Sequence, residues 1–411
     1  MYKLEFTLKQ HTPIIHFQHD QAGATLRATE VKPKLDRFIL AQLGSRDTNK
    51  GLEIARNKSL LLADGSHPSL NFKIKIDNLG PIIKYFITSN PNSINDEQRR
   101  ENIRIELDAD YINQTQYFGN NKNLERNVII NKEDVKLGIL SKGVKLTITT
   151  QKKELFDYLT KNQNEILRAF FVSNSFGTRQ SKGFGCFLPE KISESDCKRF
   201  LNYEPDFLAV FKKKETKSFI VKLQTIATDY GSLKRGTSYR TYSKSELWKY
   251  LCNSQHIRWE KRKIKTNISS SNPELFKSLK SNIPHRIDDC PDADETYQYF
   301  YIRALLGLAE QFEFVKNDNS RLRIKVKDNS PDNYKIERFQ SPLRYFVTED
   351  SIFLVAMKIN SNLQEYCDDS GVKHTRFFLF ETPGAPSFTL SIPKVFDIVD
   401  FLNKHAGYIK I

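Results

Sequence analysis

Cysteine is scarce in this chain of 411 residues: Cys186, Cys197, Cys252, Cys290 and Cys367 are scattered, and no two stand as C-x-x-C. That spacing argues against zinc fingers and disulfide scaffolds, so the expectation is of reduced, mostly buried thiols and no metal or other cofactor. No apolar run approaches the roughly 20 residues that a membrane-spanning helix needs. Met1 to Leu8 alternates like a strand and lacks the apolar stretch of a signal peptide, which points to a cytoplasmic protein without membrane attachment. Acidic residues are in deficit, 49 Asp+Glu against 64 Lys+Arg, giving a formal charge of +15. Such a balance favours polyanionic partners, RNA or DNA above all. Two phosphate fingerprints are missing as well. Gly183 is followed by Phe184 and not by the Lys-Ser/Thr of a Walker loop, and no G-x-G-x-x-G lies between a strand and a helix.

What the chain does have is a glycine-rich stretch, Asn174 to Phe187, with Gly177, Gly183 and Gly185 around Thr178, Arg179, Gln180, Ser181 and Lys182. A helical pattern, Glu154 to Phe170, precedes it, and a short apolar strand, Phe184 to Leu188 closed by Pro189, follows. Glycine here permits positive φ and close backbone approach, while Arg179 and Lys182 add cationic donors for phosphate. The same stretch reads about equally as a turn whose charges are merely solvated.

Upstream, Tyr2 to Lys9 alternates as a strand. His11, His16 and His19 follow in a loop, and Thr29 to Leu43 reads as a helix turning regular after Pro33. Arg27, Lys32, Lys34 and Arg37 crowd the helix start, an unfavourable place for cations by the dipole argument. A bound phosphate reverses that penalty. Strands are expected at Asn71 to Asp77 and Lys142 to Thr150. The polar, Asn-rich stretch from Ser89 to Asn131 reads as an insertion with a strand at Ile103 to Leu107. The order β-α-β-β-α-β is the split βαβ, or ferredoxin-like, pattern.

A boundary near 210 divides residues 1–210 from 211–411. The second half opens with a strand at Ser218 to Ile226. Its Arg235, Tyr239, Arg240 and Tyr242 interleave cations with aromatics suited to phosphates and stacked bases, or form a solvated surface. So does the run Arg258, Trp259, Lys261, Arg262, Lys263 and Lys265. Thr296 to Glu313 carries helical spacing, and strands are expected at Arg321 to Lys327, Arg344 to Val347, Ser351 to Lys358 and Phe377 to Phe380. The fold class expected is α+β, two ferredoxin-like (RRM-like) βαββαβ domains with insertions.

Three segments together resemble the RAMP superfamily of CRISPR-associated proteins. Gly177 to Gly185 resembles its glycine-rich loop. Leu26 to Phe38 resembles the basic first helix of the branch that supplies the first RAMP subunit of the type III-B (Cmr) effector complex. Glu337-Arg338-Phe339-Gln340-Ser341-Pro342-Leu343 resembles a segment of that branch's second domain. Pro33 departs from the pattern, where a small residue is usual, and so does His16-Phe17-Gln18-His19-Asp20, where glycines are usual. The resemblance implies a non-catalytic subunit that holds CRISPR RNA near its 3′ end among other RAMP subunits, with target RNA a possible further partner. It carries RNA contacts onto Arg27, Lys32, Lys34, Arg37, Gly177, Arg179, Lys182, Gly183 and Gly185, to which the second half adds Arg235 and Arg240. The competing reading is a RAMP-type, metal-independent endoribonuclease that processes repeat RNA, with His11, His16 and His19 as its acid and base. Against it, Lys373 to Pro386 holds Gly384 alone, with no C-terminal glycine-rich loop.

Overall fold

The computed structural model describes residues 1–16, 25–63, 68–88, 101, 104, 105, 108–113, 137–236, 243–280, 298–309, 311–337, 339–405 and 407–411, which form a mixed α/β fold with several antiparallel sheets. Two compact units divide the chain. The first gathers Met1–Thr228, Arg344–Val355 and Gly407–Ile411, and the second gathers Asp229–Leu343 and Ala356–Ala406.

In the first unit, β1 (Tyr2–Gln10) follows directly from its alternation. Leu4, Phe6 and Leu8 are buried, and the residues between them face water or the sheet margin. Next come α1 (Ala28–Leu43), β2 (Phe72–Leu79), β3 (Gly143–Thr150), α2 (Lys153–Ser173) and β4 (Phe187–Pro189). The sheet order is β2-β3-β1-β4, antiparallel throughout. Register puts Phe6 opposite Leu146 and Leu4 opposite Ile148, so the apolar residues of both central strands share one face. Helix α2 buries Leu155, Leu159, Leu167, Phe170 and Phe171, each worth roughly 1.5–3 kcal/mol in apolar burial. The strand expected from Phe184 begins only at Phe187, and it ends, as expected, at Pro189, which lies opposite Leu8. As an edge strand, β4 tolerates a residue without an N–H.

A second four-stranded sheet is built from β5 (Phe207–Lys214), β6 (Leu343–Val347), β7 (Ser351–Met357) and β8 (Ile409–Lys410), in the order β6-β7-β5-β8. In sequence, α3 (Phe219–Lys234) lies between β5 and β6, and α4 (Ile398–Asn403) between β7 and β8. This is again the order second, third, first, fourth. Ser218 to Ile226, expected as a strand, is the start of α3. Its apolar residues continue at helical spacing through Leu223, Ile226, Ala227 and Leu233, all buried. The strand that opens this sheet lies earlier, at Phe207.

In the second unit, the expected helix over Thr296 to Glu313 does not form in its described part. Tyr299–Phe300 is a strand, Ile302–Leu306 a 3-10 turn, and Gln311–Val315 one arm of a hairpin with Arg321–Asp328. Ring packing overrides the helical spacing: Tyr301 meets Phe378 and Phe380 edge-on, with centroids 5.4 and 5.3 Å away. Gly307, at φ +116°, breaks the chain between the two halves of the pattern. Likewise Arg104 and Ile105, the described part of the strand expected at 103–107, are helical. Cys186 and Cys197 are buried thiols and Cys367 an exposed one. Cys252 takes part in a disulfide, contrary to the expectation of reduced thiols, and Cys290 lies outside the described residues.

Candidate nucleic-acid interface

The glycine-rich stretch joins α2 to β4, and its first residue in the core is Phe176. That ring is fully buried among Phe170, Phe171 and Phe187, at centroid distances of 6.0, 5.7 and 6.1 Å. From there the chain makes left-handed turns at Gly177 (φ +77°), Arg179 (φ +61°), Gly183 (φ +80°) and Gly185 (φ +64°). The glycines are required sterically. A Cβ on Gly177 would lie 2.6 Å from the Ile15 carbonyl oxygen, and one on Gly185 only 1.9 Å from that of Phe176. At Gly183 the neighbours are side chains, Ile226 at 2.7 Å and Val347 at 3.6 Å.

The loop is hydrogen-bonded on both sides. Thr178 N donates to Ile15 O at 2.7 Å and Gly185 N to Pro13 O at 2.9 Å. Thr12 Oγ1 donates to Gly183 O at 2.7 Å and accepts from Cys186 N at 3.1 Å. On the far side, Tyr345 N of β6 donates to Ser181 O at 3.2 Å, and Arg344 Nη1 donates to Val172 O at 3.0 Å. The loop therefore bridges the two four-stranded sheets of the first unit.

Helix α1 meets the same loop. Gly177 N donates to Glu30 Oε1 at 2.6 Å, while Lys34 Nζ donates to Ser175 O at 3.1 Å and Gln180 Oε1 at 3.2 Å. Glu30 was not among the residues singled out from sequence, although its i,i+4 spacing from Lys34 was a signal. A carboxylate thus occupies the N–H that the phosphate reading assigned to Gly177.

The predicted cations divide by environment. Lys32 is bound to Asp36 at 2.5 Å, to Leu70 O at 3.1 Å and to Ser69 Oγ at 3.0 Å, and stacks 3.9 Å from the Phe72 ring centroid. It holds α1 to the sheet. Burial lowers its pKa, and that of Lys34, while their carboxylate neighbours oppose the shift. Arg37 is exposed, with a bond from Nε to Pro33 O at 3.4 Å. Arg27 caps α1 and is half-buried; its Nε and Nη2 find no acceptor among the described residues. Arg179 and Lys182 are half-buried, and burial brings the Arg179 pKa down to about 10, which leaves it charged at neutral pH. Arg235 closes α3 in the second unit and is half-buried, whereas Arg240 lies outside the described residues.

Of the histidines, His11 and His16 are half-buried and His19 lies outside the described residues. Burial, helped by Lys9 and opposed by Glu349, lowers the His11 pKa to about 4. His11 is therefore neutral at pH 7 and unable to deliver a proton there as a general acid. Among the described residues no helix is long and apolar enough to cross a membrane.

Residues 1–237 match the family model described as the Cmr1 N-terminal domain, and residues 242–410 that of the Cmr1 C-terminal domain. Among solved structures, the crystal structure of Cmr1 from Pyrococcus furiosus in its apo form is similar at 11% identity and TM-score 0.37, covering 88% of this chain and 89% of that one. A chain in the cryo-EM structure of a type III-B Cmr-beta complex, bound to cognate target RNA and AMPPnP in the presence of ssDNA, is similar at 10% identity and TM-score 0.34. That match covers 86% of this chain and 93% of that one. Comparison with curated proteins gives no match. The two domain models together span nearly the whole sequence, and the chain belongs to the Cmr1 family of CRISPR-associated RAMP proteins.

Proposed function

We propose that the chain is a non-catalytic subunit of a type III-B effector complex that holds CRISPR RNA near its 3′ end, beside other Cmr subunits and within reach of target RNA. The observation that carries this reading is the convergence of two basic segments, far apart in sequence. The start of α1 and the loop from Gly177 to Gly185 are fastened together through Glu30, Lys34 and Gln180. Arg27 and Arg37 on one segment, and Arg179 and Lys182 on the other, supply phosphate contacts. Lys32 and Lys34 keep the frame, and Gly183 and Gly185 keep the backbone low enough for a strand to pass. A phosphate at Gly177 N has to displace the Glu30 carboxylate. Arg235 and Arg240 extend the same role to the second half.

Two ferredoxin-like domains, 1–210 and 211–411, belong to this reading. The repeated strand order of the two sheets supports it, with residues 235–342 inserted between the first helix and second strand of the second domain. In the endoribonuclease alternative a neutral His11 fits the general base and not the general acid.

The test is binding of labelled single-stranded repeat RNA to the full chain across salt concentrations. The logarithm of affinity should fall linearly with the logarithm of salt, by about 0.7 per phosphate neutralised. Arg27→Ala with Arg37→Ala should weaken binding about tenfold or more, evenly across RNA sequences. A flat salt response sinks the proposal. Specific cleavage of the RNA in the same samples, lost on His16→Ala, would establish the nuclease in its place.

A further inference from the structure

A cavity of about 320 Å³ lies within the second unit. One part of its wall comes from the parallel pair of Arg258–Trp259 with Tyr299–Phe300, which supplies Phe300 and, just before Arg258, Ile257. Another part is the end of the strand Phe388–Ser391 and the segment that follows it. Hydrogen bonds hold this frame. Tyr301 N donates to Ser391 O at 2.8 Å, and Arg258 N to Gln298 O at 2.9 Å. Gln364 Nε2 donates to Pro393 O at 2.6 Å and to Lys394 O at 3.1 Å, and Gln255 Nε2 donates to Val395 O at 2.8 Å. The cavity is thus built before any ligand arrives, as small-molecule sites usually are.

Its lining is apolar at the base and polar at a few points. Ile257 and Ile392 are buried, and Phe300 is half-buried. The next residue, Tyr301, packs against Phe312, Phe378 and Phe380, whereas Phe300 meets no other ring among the described residues. Three polar groups on the wall are uncommitted among the described residues. Gln255 Oε1 accepts nothing, although its Nε2 is bound, and the Gln298 amide and the Ser391 hydroxyl have no partner. An apolar side chain of another protein would bury these groups unpaired, which costs free energy. A flat heteroaromatic ring with donors and acceptors on its edge would pair them and cover Phe300 as well.

We propose that this cavity takes a nucleobase that carries an exocyclic amine, stacked against Phe300. Gln255 Oε1 can only accept, and the amine offers it a hydrogen. Gln298 has both ends of its amide uncommitted, the arrangement that pairs with N6 and N7 of adenine. Ser391 can donate or accept at the remaining edge. Uracil, without an amine, satisfies fewer of these groups. The base belongs either to an unpaired nucleotide of bound RNA or to a free nucleoside, and the proposal rests on the RNA-binding reading only for that choice.

Saturation-transfer NMR of adenosine with the full chain tests this. Adenosine has no phosphate, so its binding is independent of the basic segments and should not change with salt. Binding should saturate with a Kd of about 1 mM, typical of one small fragment held by stacking and a few hydrogen bonds. Purine riboside, which lacks the amine, should bind several times more weakly. Phe300→Leu keeps the apolar bulk without the flat face, and Gln298→Ala changes an exposed position without touching the core. Each should weaken adenosine binding roughly five- to tenfold. No saturable transfer, equal binding of purine riboside, or wild-type binding in both variants overturns the proposal. Arg27→Ala with Arg37→Ala should leave the adenosine response unchanged, so the cavity and the proposed phosphate contacts stand or fail separately. If Phe300→Leu abolishes a preference of the chain for oligo(A) over oligo(U), the ligand is an RNA base. If that variant loses adenosine binding and keeps its affinity for both RNAs, the ligand is a free nucleoside.

Discussion

Single residues in the glycine-rich loop hold steric roles that their chemistry alone does not announce. Gly185 combines a left-handed φ with a carbonyl oxygen where a Cβ would sit, 1.9 Å away. Gly185→Ala should cost roughly 2–5 kcal/mol, about 1–2 for the backbone conformation and about 1–3 for the clash. Gly371 is the control: its φ is +83°, but nothing lies within 4 Å of the added Cβ. Gly371→Ala should cost only the conformational part, about 1–2 kcal/mol. Urea unfolding midpoints of the two variants separate the contributions, and equal losses contradict the steric reading. Arg179 shares the left-handed region without being glycine, and that conformation lies within the loop that β6 and Pro13–Ile15 hold on either side.

Among the elements, α1 is the one whose sequence works against itself. It starts at Ala28, continues unbroken through Pro33 and has no side-chain cap at Arg27. Pro33 deprives the Thr29 carbonyl of its helical donor, and its ring crowds that carbonyl. The helix survives because Val31, Leu35, Phe38 and Ile39 are buried on one side and Lys32 and Asp36 pair at its base. Pro33 is itself exposed. Pro33→Ala should therefore stabilise the chain by about 2 kcal/mol: about 3 recovered in the helix, less up to 1 for the more mobile unfolded chain. Thermal or urea melting checks this, and a loss of stability would mean that the ring is needed where it is. The short helix Glu194–Leu201 shows the opposite case. Its Ser193–Asp196 capping box is a start signal readable in the sequence.

At the scale of the whole molecule, the same strand order occurs twice, and the second occurrence is assembled from strands more than a hundred residues apart, β5 at 207–214 and β6 at 343–347. Within the first unit, Arg344 fastens β6 to the end of α2 through Val172 O and lies near Glu204, whose pKa burial raises and Arg344 lowers again. Arg344→Leu keeps the bulk but removes the donor and the charge. It should cost roughly 2–5 kcal/mol by leaving a buried carbonyl and a half-buried carboxylate uncompensated. Far-UV circular dichroism in urea measures the loss, and a stability equal to the wild type's would show that the two sheets do not depend on this tie.

The sequence by itself determined the strands at 2–10, 72–79 and 143–150, the helix α2, the basic charge and the family, because each rests on local periodicity or on a contiguous motif. Period-two alternation fixes which face of a strand is buried wherever the partner lies. Tertiary structure alone decided the rest. Ser218 to Ile226 alternates over a few residues, yet it is helical because its apolar stripe continues to Leu233. Tyr297 to Phe312 has helical spacing, yet its described part is strand, turn and strand because Tyr301, Phe312, Phe378 and Phe380 pack as one cluster. The same holds for the sites. Arg27, Arg37 and the glycines could be read in order along the chain. That Glu30 takes the Gly177 N–H, or that Arg303 pairs with Glu260, depends on chain reversals that no local spacing encodes.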